Sequence, residues 1–141
     1  RLEGFTAAAR ARDLDEMPVY HGGFHRSNGL EGARALLDQD IDALIAGDSM
    51  MSIGALEACH STGIVIGRDL AFIGYDDHPV MALQSCPITV IDQGVADMGR
   101  MALRLLLDMA TGKSPPRTHR LPTSLIIRPS TNFPHNPAQR R

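Results

Sequence analysis

Three short polar clusters carry the chemistry open to this chain: His21-Gly22-Gly23-Phe24, Gly47-Asp48-Ser49 and Asp76-Asp77-His78. Each follows a short apolar run, and in an open parallel sheet the residues just beyond the carboxyl ends of the strands are the ones that meet a ligand. Carboxylates presented there, together with an arginine and an aromatic ring, suit a polyhydroxylated molecule. Acidic and guanidinium groups hydrogen-bond to several hydroxyls while a ring face covers the C–H surface. The run Asp76-Asp77-His78 can also be drawn as an acid, base or metal set. Adjacent residues of an extended chain point in different directions, however, which disfavours convergence on one atom. We therefore expect no catalytic residue, no metal ligand, no cofactor and no enzymatic activity. The chain has no nucleophile elbow, phosphate loop or H-E-x-x-H pattern, and a turn accounts for the pair Gly22-Gly23. His60, within a helical pattern, and His119, before a strand, read as surface or hydrogen-bonded histidines. Cys59 and Cys86 lack C-x-x-C spacing and read as small buried apolar residues, which fits a reducing cytoplasm.

The elements that must position these clusters alternate between short apolar runs and longer helical patterns. That alternation predicts parallel strands covered by helices, an α/β fold. An alanine-rich helix over residues 2–14 leads to a short strand at 17–20. Asn28 and Glu31 have capping-box spacing for a helix over 29–38, and a strand follows at 41–46. The next helix, 50–62, has Asp48 or Ser49 as its cap and Gly63 to end it in a left-handed conformation. The run at 70–73 is apolar throughout rather than alternating, as in a strand enclosed on both faces. After a strand at 88–91, Val95, Met98, Ala102, Leu105 and Met109 recur at steps of three and four. Asp97, Arg100, Arg104 and Asp108 mark the opposite face of that helix, which ends at Gly112. Ser114-Pro115-Pro116 reads as a linker and 121–127 as the last strand. From Pro129 the chain becomes a proline-bearing polar tail, with 133–141 outside the folded unit.

With 141 residues the chain can bury one ordinary core. No apolar run approaches the roughly 18 residues of a membrane span, and the first residues lack the apolar core of a secretory signal. Charge is uneven: residues 1–99 hold 6 basic and 15 acidic side chains, residues 100–141 hold 8 and 1. The basic residues of the second part are spread over a helix, loop, strand and tail with no aromatic interleaving. They make a solvated surface rather than a nucleic-acid patch.

Five stretches then resemble a known family, the lac/galactose repressor family of bacterial transcription regulators. Arg1-Leu2-Glu3-Gly4-Phe5 is similar to its R-x-x-G-[FWY] segment, and ALIAGDSMMSIGAL at 43–56 to its A-x-x-x-x-N-D-x-M-A-x-G-A-L strand and helix. IGYDD at 73–77, PITVIDQ at 87–93 and LPTSLIIRPST at 121–131 resemble three further motifs, in the family's order. The resemblance implies a periplasmic-binding-protein type I fold, a Rossmann-like parallel sheet with helices on both faces, present here mainly as its C-terminal subdomain. Residues 1–91 would belong to that subdomain, 92–118 to a helix and linker of the N-terminal subdomain, and 119–132 to a returning strand. A helix-turn-helix headpiece and most of the N-terminal subdomain would lie outside this chain.

By the same resemblance Arg1, Phe24, Asp48, Asp76 and Gln93 face an inter-subdomain cleft. Arg1 and Asp76 would be the hydroxyl-binding pair and Phe24 the stacking ring. Asp48 and Ser49 stand where the family motif has Asn and Asp, which leaves the choice of effector open. The implied function is effector sensing by a cytoplasmic, homodimeric repressor: a sugar or sugar derivative in the cleft controls operator binding. A periplasmic sugar-binding protein of a transport system is the alternative, and the ending LPTSLIIRPST argues against it. The helix at 95–109 must bury its apolar face on something. At about 25 cal/mol per Å2, five exposed side chains forfeit several kcal/mol, so this length of chain alone is expected to aggregate or to depend on the rest of the protein.

Overall fold

The computed structural model describes residues 1–14, 17–114 and 118–132. Asp15-Glu16, most of the expected linker and the expected tail at 133–141 lie outside the described residues. In chain order the elements are α1 (Leu2–Arg10), α2 (Arg26–Leu37), β1 (Ala43–Ile45), α3 (Ser49–Thr62), β2 (Ala71–Tyr75), α4 (Pro79–Ala82), β3 (Thr89–Asp92), α5 (Val95–Ala110), β4 (Ser124–Ile126) and a 3-10 turn at Pro129–Thr131. The sheet has the order β1-β2-β3-β4; β1, β2 and β3 are parallel, and β4 returns antiparallel to β3. This is a mixed α/β fold with a parallel-dominant sheet.

Pairing fixes which side chains share a face. Leu44 lies opposite Phe72, Gly74 opposite Val90, and Val90 opposite Ile126. Phe72 and Val90 are fully buried in a core with Ala55, Leu56, Ala58 and Cys59 of α3. On the other face, Ile45 pairs with Ile73 and Ile91 with Leu125. There Ile45 remains 46% and Leu125 56% exposed. One face is thus the packed core, and the other carries apolar side chains in the open.

Helices α2 and α3 cross by backbone contact, which only residues without a Cβ permit. A Cβ on Gly54 would stand 2.0 Å from the Arg26 carbonyl oxygen, and one on Gly29 would stand 2.3 Å from that of Met51. The Arg26–Glu57 ion pair closes the crossing at its rim at 2.8 Å. As the spacing predicts, Asp48 caps α3, its carboxylate accepting from the amides of Met50 (2.9 Å) and Met51 (3.4 Å). Gly63, with φ +75°, ends it. Burial pushes the Cys59 thiol up to about 11, in keeping with its packing as an apolar residue; Cys86 is half-buried.

Three local expectations are corrected, and one short helix is added. No strand forms at 17–20: Pro18 has no amide to give a ladder, and Tyr20 instead lays its ring where a Cβ on Gly32 would be. Helix α2 begins at Arg26 with His25 as its cap and no side-chain cap bond, so Asn28 lies inside the first turn. Helix α4, where proline takes an opening position suited to its missing amide, was not anticipated. The start of the expected tail is a fixed part of the core: Ser130 is fully buried, donates to the Phe72 carbonyl at 2.7 Å and accepts from the Thr89 amide at 2.8 Å. Helix α5 forms where expected, and none of its residues is buried.

Candidate functional site

Strand polarity brings three chain segments together at the carboxyl edge of the sheet. β1 ends into Gly47, Asp48 and Ser49, β2 into Asp76, and β3 into Gln93, while Arg1 precedes α1. There the Asp76 carboxylate accepts from Gln93 Nε2 at 2.9 Å and, at its other oxygen, from the Ser49 hydroxyl. Gln93 Oε1 accepts from the Arg1 guanidinium at 3.0 Å, and the same guanidinium donates to the Gly47 carbonyl at 2.7 Å. Its carbon lies 4.1 Å from the centre of the Tyr75 ring, within the range of a cation–π contact. The result is one continuous polar network, Arg1 to Gln93 to Asp76 to Ser49, on a nearly buried aromatic floor.

The backbone beneath the network is tied as well. Ser52 of α3 donates to the Asp48 carbonyl at 2.7 Å and accepts from the Tyr75 amide at 2.9 Å, joining the start of α3 to the end of β2. Asp76 has φ +59°, a left-handed conformation that costs a non-glycine residue about 1–2 kcal/mol. Strain of this kind persists where surrounding contacts over-determine it, and such places are often functional.

Of the residues singled out from sequence, Arg1, Asp76 and Gln93 are bonded to one another directly or through one partner. Asp48 stands beside them, one carboxylate oxygen, Oδ1, accepting from the amides of Met50 and Met51 in α3. Phe24 does not join the network. It is 70% exposed in the loop before α2, at the end of that helix which meets Met51 and Gly54 of α3. Ser49 was weighed from sequence as part of the polar cluster after a strand and as a helix cap but was not assigned to the site, and Tyr75 entered only within the IGYDD motif.

Behind the network, Asp77 pairs with Arg128 at 2.8 Å, with side-chain exposures of 33% and 18%. The hydrogen bond from Arg128 holds the Asp77 carboxyl below its ordinary range, against a smaller opposing effect of desolvation. Because the folded-state value lies below the unfolded one, the stability this pair contributes is complete above the ordinary carboxylate range. It is lost as pH falls through the depressed folded value. Urea unfolding from pH 7 to pH 2 is expected to show an acid-limb loss that Asp77→Asn reduces by at most about 1 kcal/mol, since the pair is partly exposed.

His78 does not converge with the two aspartates; it caps α4, Nδ1 accepting from the Val80 amide at 3.4 Å. Among the described residues no cluster of three or more His, Cys, Asp or Glu could hold a metal, and no helix is long and apolar enough to cross a membrane.

A family model, the periplasmic binding protein-like domain, matches residues 1–131. The chain belongs to the periplasmic binding protein-like domain family. Within it, the relatives are regulators of the lac repressor type. The HTH-type transcriptional regulator CelR of Thermobifida fusca is 36% identical over 135 residues, covering 92% of this chain and 40% of CelR. The crystal structure of a probable LacI family transcriptional regulator from Corynebacterium glutamicum superposes with TM-score 0.79 at 45% identity, over 92% of this chain and 47% of that one. A CelR–cellobiose complex superposes with TM-score 0.80 at 33% identity, over 92% of this chain and 41% of the other. This periplasmic binding protein-like chain thus spans about two fifths of the length of the curated relatives it matches.

Proposed function

We propose that this chain is the C-terminal part of the effector-binding region of a DNA-binding transcription repressor, and that a neutral sugar or sugar derivative is its effector. The observation that carries the reading is the Arg1–Gln93–Asp76–Ser49 network at the carboxyl edge. Its donors and acceptors bond to one another and can be exchanged for the vicinal hydroxyls of a neutral sugar. Arg1 and Asp76 are the hydroxyl-binding pair, Gln93 joins them, Asp48 fixes the neighbouring helix start, and Phe24 supplies a stacking ring once the second wall of the cleft is in place.

In this reading residues 1–91 and 119–132 form one wall. The segment 92–118 crosses into a second subdomain, which would bury the exposed Leu103, Leu106 and Met109 of α5. Effector binding closes the cleft and reorients the subdomains of a homodimer. Operator binding by a helix-turn-helix headpiece responds to it, and ligand shifts that equilibrium only by its differential affinity for the two states. Such a protein works in the cytoplasm, without a cofactor and without turning over its ligand. Regulators among the relatives, one of them solved with cellobiose, favour this over a transport component.

Calorimetric titration of the complete protein against a panel of glucose, cellobiose, maltose and ribose tests the proposal. We expect saturable binding of at least one sugar, one per subunit, with the sugar recovered unchanged. A flat response to every sugar, or conversion of a bound one, would refute it.

A further inference from the structure

We propose that Arg128 is a positioning residue for Asp76: by clamping Asp77 it holds the turn after β2 in the left-handed conformation that aims the Asp76 carboxylate at Ser49 and Gln93. The inference rests on reading that edge as the ligand site. Asp76 and Asp77 are adjacent, yet their carboxylates serve opposite partners. Asp76 reaches Ser49 and Gln93, while Asp77 meets the fork of Arg128, Nη1 at 2.8 Å from Oδ1 and Nη2 at 2.9 Å from Oδ2. Two-pronged arginine–carboxylate pairs fix orientation as well as distance.

The left-handed backbone at Asp76 must be held from both sides. Upstream, its amide continues the β2–β3 ladder by donating to the Ile91 carbonyl at 2.9 Å. Downstream, the His78 amide donates to the Asp76 carbonyl at 2.9 Å, and the Asp77 side chain, paired with Arg128, is a further anchor. Arg128 is itself immobilised. Its Nη1 donates to the Ile88 carbonyl at 3.0 Å, its amide donates to the Thr89 hydroxyl at 2.8 Å, and its carbonyl accepts from that hydroxyl at 3.0 Å. Arg128 thus ties the turn to the base of β3. Relaxing Asp76 to a right-handed conformation swings Asp77 away from Arg128 or Asp76 away from Gln93. The side-chain partners of Arg128 are the Ile88 carbonyl and Asp77, neither of them in the network, so its effect on ligand passes through Asp77.

The test uses the complete protein labelled with 15N-glutamine, the Gln93 side-chain amide being assigned by its loss in Gln93→Glu. Asp77→Asn and Arg128→Gln are each expected to move that resonance toward its position in Asp76→Ala, and Arg128→Lys, which keeps the charge but not the fork, part of the way. Affinity for the panel sugar giving the largest heat is expected to fall about tenfold in Arg128→Gln, with no further loss when that change is added to Asp76→Ala. An unmoved Gln93 resonance in Asp77→Asn and Arg128→Lys, or affinity losses that simply add, would overturn the proposal and leave the pair a stabilising contact only. Should Arg128→Gln fail to fold, the two milder variants carry the test. The amide measurement needs no sugar, so a silent sugar panel would sink the ligand reading while the positioning claim stands or falls on the resonance.

Discussion

Gly54→Ala is expected to destabilise the protein by about 3 kcal/mol, although the same change in an ordinary helix is worth up to about 1 kcal/mol in the favourable direction. The added methyl would sit 2.0 Å from the Arg26 carbonyl oxygen and 2.6 Å from the Leu30 amide nitrogen. Both are backbone atoms of α2, so no side chain can swing aside. The helices must part by an ångström or more, and the whole layer over Phe72 and Val90 loosens with them. In urea unfolding, the midpoint of Gly54→Ala should drop by about 1 M or more. Gly4→Ala is the control: nothing lies within 4 Å of its new methyl, and it should be neutral or slightly stabilising. Equal stability of Gly54→Ala and the parent would mean that α2 and α3 do not cross as described.

Asp76→Ala is expected to weaken sugar binding about a hundredfold while shifting the melting temperature by only a few degrees. Two oxygens of Asp76 organise Ser49 and Gln93, and hydrogen bonds to a charged group are worth about 1.5–3 kcal/mol each. Losing about 2.7 kcal/mol of ligand interaction corresponds to two orders of magnitude in affinity. Asp76→Asn, which tolerates the left-handed backbone and keeps one acceptor, should fall between the two. A variant that loses stability and affinity in proportion would assign Asp76 to the fold rather than to the ligand.

Much of the fold could be read from residue order because the signals were local. Asp48 and Gly63 bracket α3 by side-chain and backbone preferences that act within one turn. The apolar run feeding β2 marks a strand, but not one enclosed on both faces: Phe72 is buried while Ile73 on the other face is only partly covered. The misses have physical causes. Asn28 and Glu31 have the spacing of a capping box, yet Gly29 is needed at the crossing with Met51, which draws α2 three residues earlier. Residues 17–20 have strand-like composition but no ladder partner. Ser130 sits in a segment whose prolines and polar residues suggest a tail, and only the tertiary fold reveals that its hydroxyl serves β2 and β3 at once.

Among the site residues, Asp76 and Ser49 lie in clusters that sheet polarity alone singles out, whereas Arg1 and Gln93 were legible only through the family resemblance. The bond between Ser49 and Asp76 and the place of Tyr75 beneath Arg1 were not legible, because they depend on how the end of β2 turns at Asp76. The Asp77–Arg128 pair, 51 residues apart, left no sequence signal beyond the presence of both residues in recognisable motifs.

A crystal structure of the complete protein grown with the tightest-binding panel sugar tests the central claim most directly. Sugar density is expected within hydrogen-bond distance of Asp76 and of Arg1 or Gln93, with Tyr75 beneath and Phe24 closing over it. Sugar bound elsewhere on the molecule, with Arg1, Gln93, Asp76 and Ser49 still bonded only to one another, would contradict it.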